Sequence, residues 1–247
     1  MKTTQYHIIV VGAGSAGMCC AIRAAERGRN VLVIEKDSVV GGTLHLTAGH
    51  LSAGGTRRQA EKGIQDSPQK HYDEVMQISK NTADPKIVKL ATDLAPHTID
   101  WLEDNGFEFA PETPAIIYGH APYQTPRTHW GKADYAGGKI LTAGISIFNT
   151  LKPLWDKHVE AGKITILLEH KLSDLVCVEG KVVGVKAQNQ GKSCLFHGQS
   201  VVLTTGGYAS NPEFFKKVTP NHPRLISTAR FTSTGDGIIV AQSIGAK

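Results

Sequence analysis

Cysteine is scarce in this chain. Its 247 residues hold four, Cys19, Cys20, Cys177 and Cys194, with no C-x-x-C pair and no metal-ligand spacing. A zinc module and a disulfide framework are therefore not expected. The four read as reduced packing residues of a cytoplasmic protein, Cys19 and Cys20 on a helix whose small residues pack against a sheet. Long apolar runs are also missing: nothing approaches the roughly 18 residues a membrane span needs. "MKTTQY" leads directly into an apolar strand, so no targeting segment is expected. There is no internal repeat, and no linker rich in Pro, Gly and Ser, so a single domain over residues 1–247 is expected.

Charge of one sign is not concentrated anywhere. The net charge is +5 and the pI about 9.0, yet acidic residues interrupt the basic ones, as in "ERGRN", "RRQAEKG" and "EFFKK". This is a solvated surface with some attraction for an anionic ligand, not a nucleic-acid face. Hydrophobic residues at 40% and charged residues at 20% are the balance of a globular protein.

Glycine, by contrast, is plentiful. Many of its 26 residues cluster at 12–17, 41–55, 137–144 and 205–237. Such clusters mark turns with positive φ, or places where backbone approaches a ligand. The first follows the apolar run His7–Val11 and precedes an alanine-rich helix expected over residues 14–28. A second buried strand, Asn30–Lys36, completes a β-α-β unit. Further helices are expected at Ser67–Ser79, Asp84–Leu94, Ala95–Asn105 and within Leu141–Ala161. Residues 107–139 read as irregular. Beyond residue 162 the pattern turns to β: a strand, a hairpin turning at Glu179-Gly180-Lys181, one more strand, then a separate buried run at Val201–Thr204. "STGDGIIVAQ" reads as a turn opening a last helix.

Gly12, Gly14 and Gly17 form G-x-G-x-x-G between a strand and a helix, and Glu35 closes the next strand 18 residues after Gly17. Gly12 permits the tight turn, Gly14 lets backbone amides approach a pyrophosphate, and Gly17 lets the helix pack on the strand. The helix N-terminus supplies amide donors and a partial positive charge. Glu35 is suited to accept ribose hydroxyls, and its charge disfavours a 2′-phosphate. The sequel favours FAD over NAD. After Glu35 comes "KDSVVGGTLHLTAGHLSAGGT", a segment of small residues suited to bed a flat tricyclic ring.

The glycine turn, Glu35-Lys36, "GGT…TAGHLSAGGT", "DSPQKHYDEVM", "WLEDNGFEF", "VVLTTGGYASN" and "STGDGI" occur in an order that resembles the fumarate reductase/succinate dehydrogenase flavoprotein family. The likeness is strongest to its soluble flavocytochrome c-type fumarate reductase branch. Related members reduce urocanate or dehydrogenate 3-ketosteroids. The fold this implies is α/β: a Rossmann-like FAD-binding domain, a glutathione reductase-type βαβ with a central parallel sheet and an added β-hairpin layer. The implied activity is hydride transfer between flavin and an activated C=C or CH–CH bond of a small, carboxylate-bearing substrate.

Carried over by position, the resemblance assigns the pyrophosphate to Gly12, Ala13, Gly14, Ser15, Ala16 and Gly17, and the ribose to Glu35 with Lys36 beside it. Gly41, Gly42, Thr43, Leu44, Ala48, Gly49, His50 and Leu51 line the ribityl and ring region. Leu172 presents its backbone to adenine, or is a plain sheet residue. Thr205, Gly206 and Asp236 close the far side, unless Asp236 only caps its helix. Thr43 stands where membrane-bound relatives carry the histidine that bonds covalently to flavin, so non-covalent FAD is expected, with His45 or His50 as an alternative hydrogen-bond partner of the ring.

The family's substrate-clamping histidines and arginines come mostly after the "TGDG" turn, and this chain stops at Lys247, eleven residues beyond Asp236. A capping domain and a returning segment are expected to be missing, leaving a chain inactive alone. The other reading is a self-standing FAD-binding or electron-carrying module, served by an electron-donor protein. Arg127, His129 and His120 form either a wall of a substrate pocket or ties that hold a long loop. The second is preferred, and no residue is assigned a catalytic part.

Overall fold

The computed structural model describes residues 5–117, 125–132, 144–222 and 226–246. Its contacts divide the chain into two compact units, Met1–Leu46 with Leu151–Lys247, and Thr47–Thr150.

The first unit is built on the β-α-β element. β1 (Gln5–Val11) ends at Gly12, whose φ of +104° few side chains tolerate. A Cβ there would also lie 2.6 Å from the Thr204 carbonyl oxygen. α1 (Ser15–Glu26) buries Gly17, Met18, Ala21, Ile22, Ala24 and Ala25, a stripe at helical spacing. Gly17 permits that packing, since a Cβ on it would meet the Gly12 carbonyl oxygen at 1.8 Å. β2 (Val31–Ile34) is buried at every residue, as a parallel strand covered on both faces must be.

β1 and β2 belong to a six-stranded sheet that also contains β5 (Ile164–Leu167), β6 (Lys171–Val178), β7 (Lys181–Asn189) and β8 (Lys192–Leu203). The order is β5-β2-β1-β8-β7-β6. The first four strands are parallel, while β6 and β7 form the expected antiparallel hairpin. Ile9, Val11, Leu32 and Ile34 share one core with Leu172, Val185 and Ala187 of the hairpin, which thereby lies over that face as the added layer. α1 packs on β1 and β2 as well.

β8 corrects one expectation. The strand and the separate buried run after it are a single twelve-residue strand. Its first half pairs with β7 and its second half with β1, and His197 is paired on both sides. No proline or turn interrupts it, and Gly198 removes the side chain that would collide with Ile9 at 2.8 Å. α6 (Pro212–Val218) and α7 (Asp236–Ser243) complete this unit.

The second unit contains β3 (Leu51–Ser52), α2 (Arg57–Glu61), α3 (Pro68–Ile78), α4 (Pro85–Asp104) and β4 (Thr128–His129). α5 (Ile145–Glu160) carries the chain out of it. α4 is a second correction: one helix of 20 residues, not two. Pro96 costs it about 3 kcal/mol through the lost hydrogen bond and ring clash. Thr92, Pro96, Ile99 and Leu102 form its buried stripe, however. Burying Ile99 and Leu102 alone contributes about 3–6 kcal/mol, so the helix continues. The irregular segment is pinned by β3 pairing antiparallel with β4 and by bridges Phe109–Gly131 and Ala115–Thr128.

The cysteines are a third correction. Cys19 and Cys177 are exposed, and Cys20 and Cys194 only half-buried. Cys19 follows Met18 by one helical step, which turns it off the buried stripe, and Cys177 lies on the edge strand β6. All four are unbonded thiols. Among the described residues no helix is long and apolar enough to cross a membrane. His120 and glycines 137 and 138 lie outside the described residues.

Candidate functional site

The carboxyl ends of β1, β2 and β8 open into a cleft that is continuous with solvent. This is where open parallel sheets bind ligands. Gly12, Gly14, Glu35, Lys36, Gly42, Thr43, Leu172, Thr205, Gly206 and Asp236 all line it. The sequence had placed each of them in the cofactor site.

The floor is the glycine turn. Gly14 is the cap residue of α1, and no side chain caps the helix. The first amides of α1 therefore have no acceptor within the helix, and no acidic residue stands in its first turn. A Cβ on Gly14 would meet nothing within 4 Å, so the absent side chain leaves open space above those amides. The arrangement suits an anionic diphosphate. The next loop is tied to this turn: Gly41 N–H donates to the Ala13 carbonyl at 2.8 Å, and Gly41 bridges to Gly14. Gly42 (φ +51°) lies so close that its Cβ would sit 3.3 Å from Gly14 Cα.

Glu35 stands at the end of β2 and is 9% exposed. Its Oε2 accepts from the Ala13 amide at 2.7 Å and its Oε1 from the Asp37 amide at 2.8 Å. A carboxylate offers about four lone-pair sites, so each oxygen keeps one for a ligand hydroxyl. Thr204 fixes the opposite wall by donating from Oγ1 to the carbonyls of Val11 (2.9 Å) and Gly12 (2.8 Å).

Asp236 does not cap α7. The cap is Gly235 in the left-handed region, and Asp236 is the first helical residue. Its Oδ2 is 2.7 Å from Lys36 Nζ, and Lys171 Nζ lies 3.6 Å from its Oδ1. Lys36 thus lines the cleft with its ammonium committed to Asp236 and Thr234. α7 packs tightly on the wall, because a Cβ on Gly237 would meet Thr205 Oγ1 at 2.2 Å.

Other predicted residues sit elsewhere. Ala13, Gly17, Gly41 and Leu44 are buried behind the cleft surface, and Ser15 and Ala16 are exposed at the start of α1. Ala48, Gly49, His50 and Leu51 belong to the second unit. There the His50 ring lies 5.5 Å from that of Trp130, and Leu51 pairs with His129 in β3–β4. His45 Nε2 shares a hydrogen bond with the Val40 carbonyl at 2.8 Å.

Arg127 and His129 are ties, as preferred. Arg127 is 2% exposed, with Nε and Nη2 donating to Asp66 at 2.7 and 2.8 Å and further bonds to Glu74. His129 is fully buried, and burial pushes its imidazole down to about 4.

His170, Thr204, Thr232 and Ser233 also line the cleft, and sequence reasoning missed them. Thr204 was legible in principle, since it ends the strand that "TTGG" closes and such strand ends face the ligand crevice. Ser233 opens the "STGDGI" stretch, whereas Thr232 has no local signal. Among the described residues no group of three or more His, Cys, Asp or Glu could hold a metal.

Comparison with known proteins agrees with this geometry. The family model described as FAD binding domain matches residues 7–247. The chain is 29% identical over 98% of its length to the NADH:fumarate oxidoreductase of Klebsiella pneumoniae (strain 342), covering 25% of that protein. It is 30% identical over 96% of its length to the fumarate reductase (cytochrome) of Shewanella frigidimarina, covering 39% of it. The open conformation of a flavocytochrome c3 fumarate reductase superposes over 100% of the chain and 42% of the neighbour, with a TM-score of 0.85 and 29% identity. The chain thus spans about a quarter to two fifths of the length of these proteins. An uncapped helix end for a diphosphate and a buried acid for a ribose diol are what FAD requires. With both inside the matched span, the chain belongs to the FAD binding domain family, and FAD is its cofactor.

Proposed function

We propose that this chain is the FAD-binding part of an oxidoreductase acting on an activated C=C or CH–CH bond of a small carboxylate substrate. The observation that carries the reading is the single cleft joining the open Gly14 turn, the Glu35 carboxylate and the Asp236 wall. FAD, when bound, supplies two-electron hydride chemistry. The chain's own residues do the holding: α1 amides take the diphosphate, Glu35 the ribose, and the Leu172 backbone the adenine. FAD is held non-covalently in this reading, since Thr43 offers no imidazole for a flavin bond. Four free thiols support a reducing, cytoplasmic setting.

Catalysis is expected only when the rest of a fumarate reductase-type protein completes the substrate pocket. The extent of the relatives beyond the matched region supports this. The purified chain is expected to quench added FAD fluorescence and to show no fumarate reduction with reduced viologen. Absence of FAD binding would overturn the cofactor reading, and turnover by the chain alone would overturn the need for completion.

A further inference from the structure

The three consecutive residues Glu35, Lys36 and Asp37 divide their work. Glu35 faces the cleft, while its two neighbours grip a distant segment with opposite charges. Lys36 Nζ donates to Thr234 Oγ1 at 2.5 Å and to Asp236 Oδ2 at 2.7 Å. Asp37 Oδ2 accepts from Arg230, whose Nε lies at 2.7 Å and Nη2 at 2.6 Å. The segment between these anchors, residues 231–235, supplies Thr232 and Ser233 to the cleft wall.

This segment has little apolar anchorage. Phe231 is 73% exposed, so packing does not hold it. Its ties to the rest of the unit are mostly polar: the two ion pairs, bonds from Ser210 Oγ to the Arg230 carbonyl and from Asn211 Nδ2 to the Thr234 carbonyl, and backbone bonds from the Ser210 amide to the Ser233 carbonyl and from the Gly235 amide to the Gly207 carbonyl, with Gly235 packed close to Tyr208. Side-chain exposure is 16% and 7% for Arg230 and Asp37, and 21% and 12% for Lys36 and Asp236. Pairs buried to this degree are only weakly screened by salt. Their opposite polarity also fixes the register, because a slip along the strap would set Arg230 against Lys36 and Asp37 against Asp236.

We propose that Arg230, acting through Asp37, and Lys36, acting through Asp236, are positioning residues that hold residues 231–235 as the wall retaining FAD. This rests on the FAD reading and adds to it a retention device: the pairs govern release of the cofactor more than its capture. Loosening a wall that covers a bound ligand raises its escape rate, and most affinity changes at a given site appear in dissociation.

The test is FAD release from the full 247-residue chain, followed as recovery of flavin fluorescence after dilution. Arg230→Gln and Asp37→Asn are each expected to speed release by about tenfold with association little changed. The double reversal D37R/R230D is expected to return release to within about threefold of the parent, a rescue that general destabilisation would not produce. Should Arg230→Gln fail to fold, R230K keeps the charge without the planar fork and is expected to release FAD at an intermediate rate. Release unchanged in the single variants, or no faster in R230K than in the parent, would overturn the proposal while leaving FAD binding intact. So would a double reversal no slower than the singles. A parent chain that binds no FAD would overturn the FAD reading itself and this proposal with it.

Discussion

The Glu35 carboxylate accepts the Ala13 amide at 2.7 Å, joining the end of β2 to the turn after β1 inside the cleft. One side chain thus braces the phosphate-binding turn and faces the ribose position. Glu35→Ala is therefore expected to weaken FAD binding by about 1–3 kcal/mol. It should also lower the melting temperature of the FAD-free protein, because the Ala13 and Asp37 amides lose their acceptor. Glu35→Gln keeps two oxygen lone pairs but no charge, and should fall between. Isothermal titration with FAD and apo-protein melting check both halves, and unchanged affinity in Glu35→Ala would remove the residue from the site.

Two glycines of the same turn should respond in opposite ways. Gly14 has ordinary backbone angles, φ −74° and ψ −171°, and open space where a Cβ would stand. Gly14→Ala is expected to fold with stability within about 0.5 kcal/mol of the parent yet to lose FAD affinity, because its methyl group enters the diphosphate position. Gly17 is buried, and a Cβ on it would lie 1.8 Å from the Gly12 carbonyl oxygen. Gly17→Ala should cost about 3 kcal/mol or more through overpacking. Denaturant titration of the apo-proteins separates the two, and equal losses of stability would contradict this division of roles.

Why some of this was legible in the sequence follows from the range of each interaction. The turn, Glu35 and the hairpin are governed by local backbone geometry and apolar periodicity, which neighbouring residues carry. β8 was read as two pieces because its two halves serve different partners, β7 and β1, and only the sheet reveals that one strand does both. Residues 84–105 read locally as two helices, Asp84–Leu94 and Ala95–Asn105, because the burial of Ile99 and Leu102 that carries one helix through Pro96 is not visible in sequence. Thr232 and Ser233 are held at the cleft by flanking contacts, Arg230 to Asp37 and Thr234 to Lys36, that span nearly 200 residues and for which no spacing rule exists.

Acid should destabilise the fold through His129. Burial holds its imidazole at about 4, against an ordinary value of 6.5. The unfolded chain therefore takes up a proton as the pH falls below about 6.5, while the folded one does not until about 4. The stabilisation is fully present above 6.5 and is lost across that window, amounting to about 3 kcal/mol at 1.36 kcal/mol per unit. His71 is pushed the same way by burial and by Arg127. Urea midpoints at pH 7 and pH 4.5 should fall less in His129→Gln than in the parent. An identical slope in both would remove His129 from the acid response.

Arg127 gives the sharpest stability prediction. Its guanidinium is 2% exposed and the Asp66 side chain fully buried, so neither charge has water to fall back on. Two parallel bonds join Arg127 to Asp66, and Gln59 Nε2 adds a third to the same carboxylate at 2.8 Å. Arg127→Ala leaves Asp66 and Glu74 without their cation and is expected to cost about 3–5 kcal/mol. Arg127→Lys keeps the charge but cannot make the planar two-point contact, so most of that loss should remain. Asp66→Asn in the Arg127→Ala background removes the stranded charge and should recover part of it. A double variant less stable than Arg127→Ala would show that the buried charge is not what the arginine offsets.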